Sequence, residues 1–255
     1  MSMNAKLSLV GAGPGDPELF TIKGIKTLSK ADVVLYDALV SPELLDYAPK
    51  EALKVFVGKR AGKHHFSQDK INELIIEYAF SHGHVVRLKG GDPFIFGRGH
   101  EEKKYVERFG IPCEIIPGIS SATSLATLQH IPLTKRNITQ SFWVTTATNS
   151  AGKLTRDIHF ALESSATLVI LMGMGKLAEI VRIFENFGKK DMPIAIINNG
   201  SLESERIAVS TIKNICNVVK EKRLGTPATI IIGEVVKLHP EFIDKIEEKV
   251  SLSLK

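Results

Sequence analysis

Three places in this 255-residue chain combine residue types that can do chemistry with a position from which to do it. Asp37 directly follows the apolar run Val33-Val34-Leu35-Tyr36. That run reads as a strand, and a carboxylate just past the carboxyl end of a parallel strand points into the crevice where open α/β sheets bind ligands. The commoner alternative is an ordinary loop or helix-cap aspartate. Lys59 and Arg60 follow the next run, Val55-Phe56-Val57, and lie between Gly58 and Gly62. They would face the same crevice, where a basic pair suits a carboxylate-rich substrate; solvated loop charge is the alternative. The third place is Leu88 to Gly99, which reads LKGGDPFIFGRG. Gly90 and Gly91 can take backbone angles closed to other residues, and no Cβ there blocks a ligand. Pro93 biases Asp92 away from the helical region and turns the chain, leaving the Asp92 carboxylate near a cation or a hydroxyl. A plain surface turn before a helix is the competing reading. The flanking aromatics and Arg98 make an exposed turn less attractive.

These residues need a frame. Leu7 to Val10 is a short strand, followed by the loop Gly11-Ala12-Gly13-Pro14-Gly15-Asp16-Pro17 and a helix with Leu19, Ile22, Ile25 and Leu28 on one face. The loop spacing is wrong for a dinucleotide fingerprint, and Pro14 and Pro17 remove two amide donors that a pyrophosphate would use. The loop suits close approach of a ligand without phosphates, and equally a rigid turn that only directs the helix. Val85-Val86 predicts a strand before the Gly90 loop, and Glu101 to Phe109 a helix after it. Ser67 caps a helix carrying Ile71, Leu74, Ile75 and Tyr78. Pro112 to Ile116 is a further strand, and the small residues from Ser120 to Leu128 predict a helix that can lie close to a sheet or a ligand, capped by Ser120 or Ser121.

Pro132 to Asn137 mark a linker. Beyond them, strands are predicted over Phe142–Thr145, Leu168–Met172, Ile194–Ile197, Ile207–Ser210 and Thr229–Ile232, with an amphipathic helix around Leu177, Ile180, Val181, Phe184 and Phe187. The expected architecture is two α/β domains, 1–133 and 138–241, with a charged tail over 242–255. The first sheet should be mainly parallel, and the second mixed, because some of its connections are short.

The chain is 44% hydrophobic and 24% charged, with a net charge of +5. That is a globular composition with ample core. No apolar run is long enough to span a bilayer, and Met1 to Lys6 is too short and polar for a signal peptide, so a soluble, cytoplasmic protein is expected. The positive charge suits an anionic partner. The basic residues are scattered without interleaved aromatics, so an acidic small molecule fits better than nucleic acid. Cys113 and Cys216 stand far apart with no Cys or His at ligand spacing, and His64 and His65 lack a third ligand. Neither a disulfide framework nor a metal site is expected.

Taken together, residues 10–17, Tyr36-Asp37, residues 57–62, Arg87 to Gly99, Pro117 to Ser121 and Pro227 to Val236 resemble the uroporphyrinogen-III C-methyltransferases of the tetrapyrrole methylase superfamily. The resemblance runs from Leu7 to about Leu238. The first Gly-rich loop and Gly90-Gly91-Asp92-Pro93 occur across that superfamily; residues 58–62 and 94–99 are more specific. The resemblance implies two α/β domains with a ligand cleft between them, a homodimer, and S-adenosyl-L-methionine (SAM) as methyl donor, leaving as S-adenosyl-L-homocysteine. It implies two methyl transfers to uroporphyrinogen III, giving precorrin-2 on the way to siroheme or cobalamin. By position, Pro14, Gly90, Gly91, Asp92, Ile95, Ser120, Ser121, Met172 and Gly200 would line the donor site. Asp37 would accept a proton, and Lys59 would donate one or only bind substrate carboxylates. Lys59, Arg60, Arg87 and Arg98 would surround the polyanionic substrate. Three departures from the family pattern stand out: His100 in place of glycine, Thr145-Thr146-Ala147-Thr148, and Asn198-Asn199-Gly200-Ser201. The alternatives are another member acting on later corrins, diphthine or ribosomal RNA, and a non-catalytic anion- or nucleic-acid-binding module.

Overall fold

The computed structural model describes residues 5–58, 66–149 and 151–243, which divide into two compact units, Met1–Ser121 and Ala122–Lys255. In the first unit five strands, β1 (Lys6–Gly11), β2 (Val33–Tyr36), β3 (Leu53–Phe56), β4 (His84–Lys89) and β5 (Cys113–Ile116), pair in parallel in the order β3-β2-β4-β1-β5. Both faces of this sheet are covered, so its inner strands are buried along nearly their whole length. One apolar layer joins Val10, Val34, Val86 and Leu88 to Leu28 of α1 (Ile22–Leu28) and to Val40 and Leu44 of the segment after β2. The other joins Leu7, Leu9, Leu35 and Val85 to Ile71 and Ile75 of α2 (Gln68–His82) and Val106 of α3 (Gly99–Glu107). The alternation along β4 assigns each residue its face.

Helices α1 and α3 follow the adjacent strands β1 and β4 but pack on opposite faces. The connections therefore part between β1 and β4, at the carboxyl ends of the strands. This is the place where doubly wound sheets open a ligand crevice.

Helix α4 (Ser121–Leu128) opens where the units divide. The expected linker, Pro132 to Asn137, lies inside the second unit instead. Leu125, Ala126 and Ile131 are buried with Ala195, Ile197, Val209, Ile231 and Val235, and this contact ties the whole segment to the second core. That unit holds β6 (Phe142–Thr146), α5 (Asp157–Leu162), β7 (Thr167–Leu171), α6 (Leu177–Asn186), β8 (Pro193–Asn198), β9 (Arg206–Thr211), α7 (Ile212–Glu221) and β10 (Ala228–Ile232). Its sheet order is β6-β7-β10-β8-β9, with β6 and β7 parallel and the other pairs antiparallel, so it is mixed as expected. Helices α5 and α7 were not anticipated. Most of the expected tail, 244–255, lies outside the described residues.

Candidate active site

The loops that leave β1, β4 and β5 meet backbone to backbone. Gly13 and Gly91 exchange a pair of amide hydrogen bonds of 3.2 and 2.7 Å. A Cβ on Gly11 would lie 2.5 Å from Gly118 Cα, and one on Gly118 would lie 2.2 Å from the Gly91 carbonyl oxygen. Only glycine permits that approach. Gly90 is close-packed as well, since a Cβ there would sit 2.8 Å from Leu39 Cβ. At Gly91 the reason differs. The space around it is open, and its φ of +66° is what excludes other residues.

Asp92 closes this arrangement. One carboxylate oxygen accepts from Phe94 N at 2.8 Å and the other from Gly118 N at 3.1 Å. The group expected to meet a cation or hydroxyl thus ties the β4 loop to the β5 loop, with lone pairs left over on each oxygen. Phe96 and Arg98 take left-handed backbone angles, and Phe94, Ile95 and Phe96 are exposed. Strain of this kind persists where the surroundings over-determine it, commonly at ligand sites. Arg98 is exposed and pairs with Glu101, Nη2 to Oε2 at 2.6 Å.

Asp37 follows β2, its side chain 28% exposed. It accepts from Arg87 Nη2 at 2.6 Å. Arg87 is 2% exposed, so the expectation that it meets a substrate carboxylate is corrected here. Its place in β4 turns the side chain into the layer beneath α2 and α3. Burial alone would lower the guanidinium's proton affinity, but Asp37 and Glu102 outweigh it and hold the group above its ordinary range. Lys89 is also buried, and burial together with the Arg87 charge holds its ammonium below the usual lysine range, against the pull of Glu102. Neither Lys89 nor Glu102 was anticipated. A signal existed: two cations two residues apart in a central strand share a face and need a buried acid.

Lys59 and Arg60 lie outside the described residues. Pro14 is half-buried in the β1 loop. Ser120 is buried and Ser121 half-buried at the start of α4. In the second unit Met172 is 66% exposed with φ of +55°, just after β7. Gly200 follows β8 between two residues at positive φ, Asn199 and Ser201. A Cβ on Gly200 would lie 2.5 Å from Leu125 Cδ1, so packing against α4 is one demand for glycine there. Glu205 holds the loop, accepting from Ser201 N at 2.6 Å and from Gln129 Nε2. Among the described residues no three His, Cys, Asp or Glu side chains gather as metal ligands.

A parallel sheet opened at its carboxyl edge, with a glycine-built loop cradle and a fixed carboxylate beside it, is the arrangement with which doubly wound α/β proteins bind small molecules. Residues 6–216 match the family model for tetrapyrrole (corrin/porphyrin) methylases, and the chain belongs to that family. It is 44% identical over 238 residues to a uroporphyrinogen-III C-methyltransferase of Methanocaldococcus jannaschii, covering 92% of this chain and 98% of that one. It is also 44% identical to a siroheme synthase of Actinobacillus pleuropneumoniae, but spans only about half of that protein's length. A Thermus thermophilus uroporphyrin-III C-methyltransferase, solved with S-adenyl homocysteine, superposes with a TM-score of 0.77 at 36% identity, covering 91% and 99% of the two chains.

Proposed function

We infer that this protein is a SAM-dependent methyltransferase that methylates uroporphyrinogen III twice, giving precorrin-2. The observation that carries this is the 44% identity to the archaeal methyltransferase along nearly the full length of both chains. The donor supplies a methyl on a sulfonium, which an electron-rich ring carbon attacks as the carbon–sulfur bond breaks. Neither a metal nor a covalent enzyme intermediate is required for that step.

The protein's part is alignment and charge. In-line placement of carbon, methyl and sulfur is worth about 7–11 kcal/mol. Pro14, Gly90, Gly91, Asp92, Ile95, Ser120, Ser121, Met172 and Gly200 are proposed to line the donor. The open face at Gly91 and the strained backbone at Phe96, Arg98, Met172, Asn199 and Ser201 support a ligand at these loops. Attack leaves the macrocycle cationic, and Asp37 takes the proton that must then depart. A positioned base contributes about 10²–10⁴-fold. Lys59, Arg60 and Arg98 meet the substrate's carboxylates, and Lys59 either donates a proton or serves this electrostatic role alone. Action as a homodimer is in keeping with exposed Phe142 and Trp143 on the edge strand β6. We further propose that the enzyme works in the cytoplasm on the siroheme or cobalamin branch. No helix among the described residues is long and apolar enough to cross a membrane.

Incubation with SAM and enzymatically made uroporphyrinogen III, read by mass, should show two added methyl groups. Unmethylated macrocycle at full SAM occupancy would refute the assignment. Asp37→Ala should cut turnover by about 10²-fold or more while leaving SAM affinity unchanged. Parental turnover in that variant would remove Asp37 from the chemistry.

A further inference from the structure

Behind Asp37 lies a second layer of charge. Arg87 and Lys89 project from one face of β4, toward α2 and α3. Glu102, in the first turn of α3, is 0% exposed between them. Its Oε1 accepts from Lys89 Nζ at 3.0 Å, from Gln68 Nε2 at 3.1 Å and from Arg87 Nε at 3.3 Å. Its Oε2 meets no donor among the described residues. The Arg87 guanidinium is held on its other edges as well. Nη1 donates to the carbonyls of Leu88 at 3.2 Å and Leu35 at 3.4 Å, and Nη2 to Asp37. Every arm of the fork is used, so the guanidinium has one direction, and that direction aims Nη2 at Asp37.

Stability alone is a poor account of such a group. Replacing a buried ion cluster by well-packed apolar residues is often neutral or stabilising. A buried carboxylate with one oxygen unsatisfied is costlier still. Charge fixed in a second layer does serve a reacting carboxylate, because a side chain that must meet a ring proton has to be locked by its own neighbours.

We propose that Glu102 is a positioning residue for methyl transfer, orienting the Asp37 carboxylate through Arg87. The inference rests on Asp37 as the proton acceptor. Glu102 never touches the substrate; it sets the arginine that sets the base. Lys89 and Gln68 hold Glu102 in turn, and Asn72 holds Gln68 through a 3.1 Å hydrogen bond.

The test compares single-turnover rates of Glu102→Gln in two backgrounds. Glu102→Gln keeps the side chain's shape and removes its charge. In the parent, its rate should fall by on the order of 10²-fold, the cost of misplacing a reacting group by about 1 Å, with SAM affinity by calorimetry unchanged. In the Asp37→Ala background the same substitution should change the rate less than two-fold, because its effect runs through the missing carboxylate. Arg87→Lys should repeat this pattern, and it decides the matter if Glu102→Gln fails to bind SAM. A loss of equal size in both backgrounds, or no loss in the parent, overturns the proposal while leaving Asp37 as the base. Parental turnover in Asp37→Ala overturns the reading of Asp37 itself.

Discussion

At Gly118 a Cβ would meet backbone on three sides, with the Gly91 carbonyl oxygen 2.2 Å away and Gly11 Cα and C at 2.7 and 2.8 Å. Backbone cannot swing aside as a side-chain tip can. Gly118→Ala should therefore cost at least about 1–3 kcal/mol, the usual range for overpacking, and weaken SAM binding as the loops part. A thermal melt and a calorimetric titration would measure both. Gly91→Ala should cost only about 1–2 kcal/mol, the penalty of a left-handed residue, because no atom crowds it. The two thiols make a quieter prediction. Burial pushes Cys113 up to about 12, so its thiolate is scarce at neutral pH. Labelling by a thiol reagent at pH 7.5 should be far slower in the folded protein than in denaturant.

Strand β4 does two jobs along its length. Its carboxyl end carries Arg87 and Lys89 toward the site, while its amino end is stitched to its neighbours by His84. The His84 Nδ1–H donates to the Lys30 carbonyl at 2.8 Å, which leaves Nε2 to accept from the Ser8 hydroxyl at 2.9 Å. The His84 amide donates to Asp32 at 2.7 Å. Burial holds this imidazole below its ordinary value of 6.5, with the Lys30 hydrogen bond opposing. The folded state thus takes up the proton less readily than the unfolded chain. Stability should be full above pH 6.5 and decline as pH falls through and below it. Urea midpoints at pH 7.5 and 5.5 would show the decline, and His84→Gln should flatten it. In the second unit, Gly200→Ala drives a Cβ into the side chain of Leu125, which is 4% exposed. A loss of about 1–3 kcal/mol is expected there too. Glycine at this position thus has a packing reason independent of any ligand.

For the molecule as a whole, the net charge of +5 bears on association with a polyanion. Added salt should raise KM for the macrocycle and leave SAM affinity nearly constant, because only the first draws on exposed cations screened over about 10 Å at 0.1 M. Arg87 belongs to neither effect. Its charge is buried and balanced within the first unit, and bulk ions do not reach it.

Local pattern was enough to locate the strands, though not every end, together with the glycine loops and the turn at Pro93, because each depends on residues a few positions apart. β2 was legible as an apolar run, and Asp37 as the residue just past its carboxyl end. Division into two α/β halves, with a mixed second sheet, followed from connection lengths. The sequence could not say what each charge would meet. Arg87 finds Asp37 across 50 residues and Glu102 across 15. Alternation in a strand gives the face a side chain takes, but only the packed helices decide whether that face sees water or a carboxylate. For the same reason α4 joined the second core through Leu125 rather than ending the first. Burial is a property of the assembled layers, and the tertiary structure alone set Arg87 out of solvent, against Asp37 and Glu102.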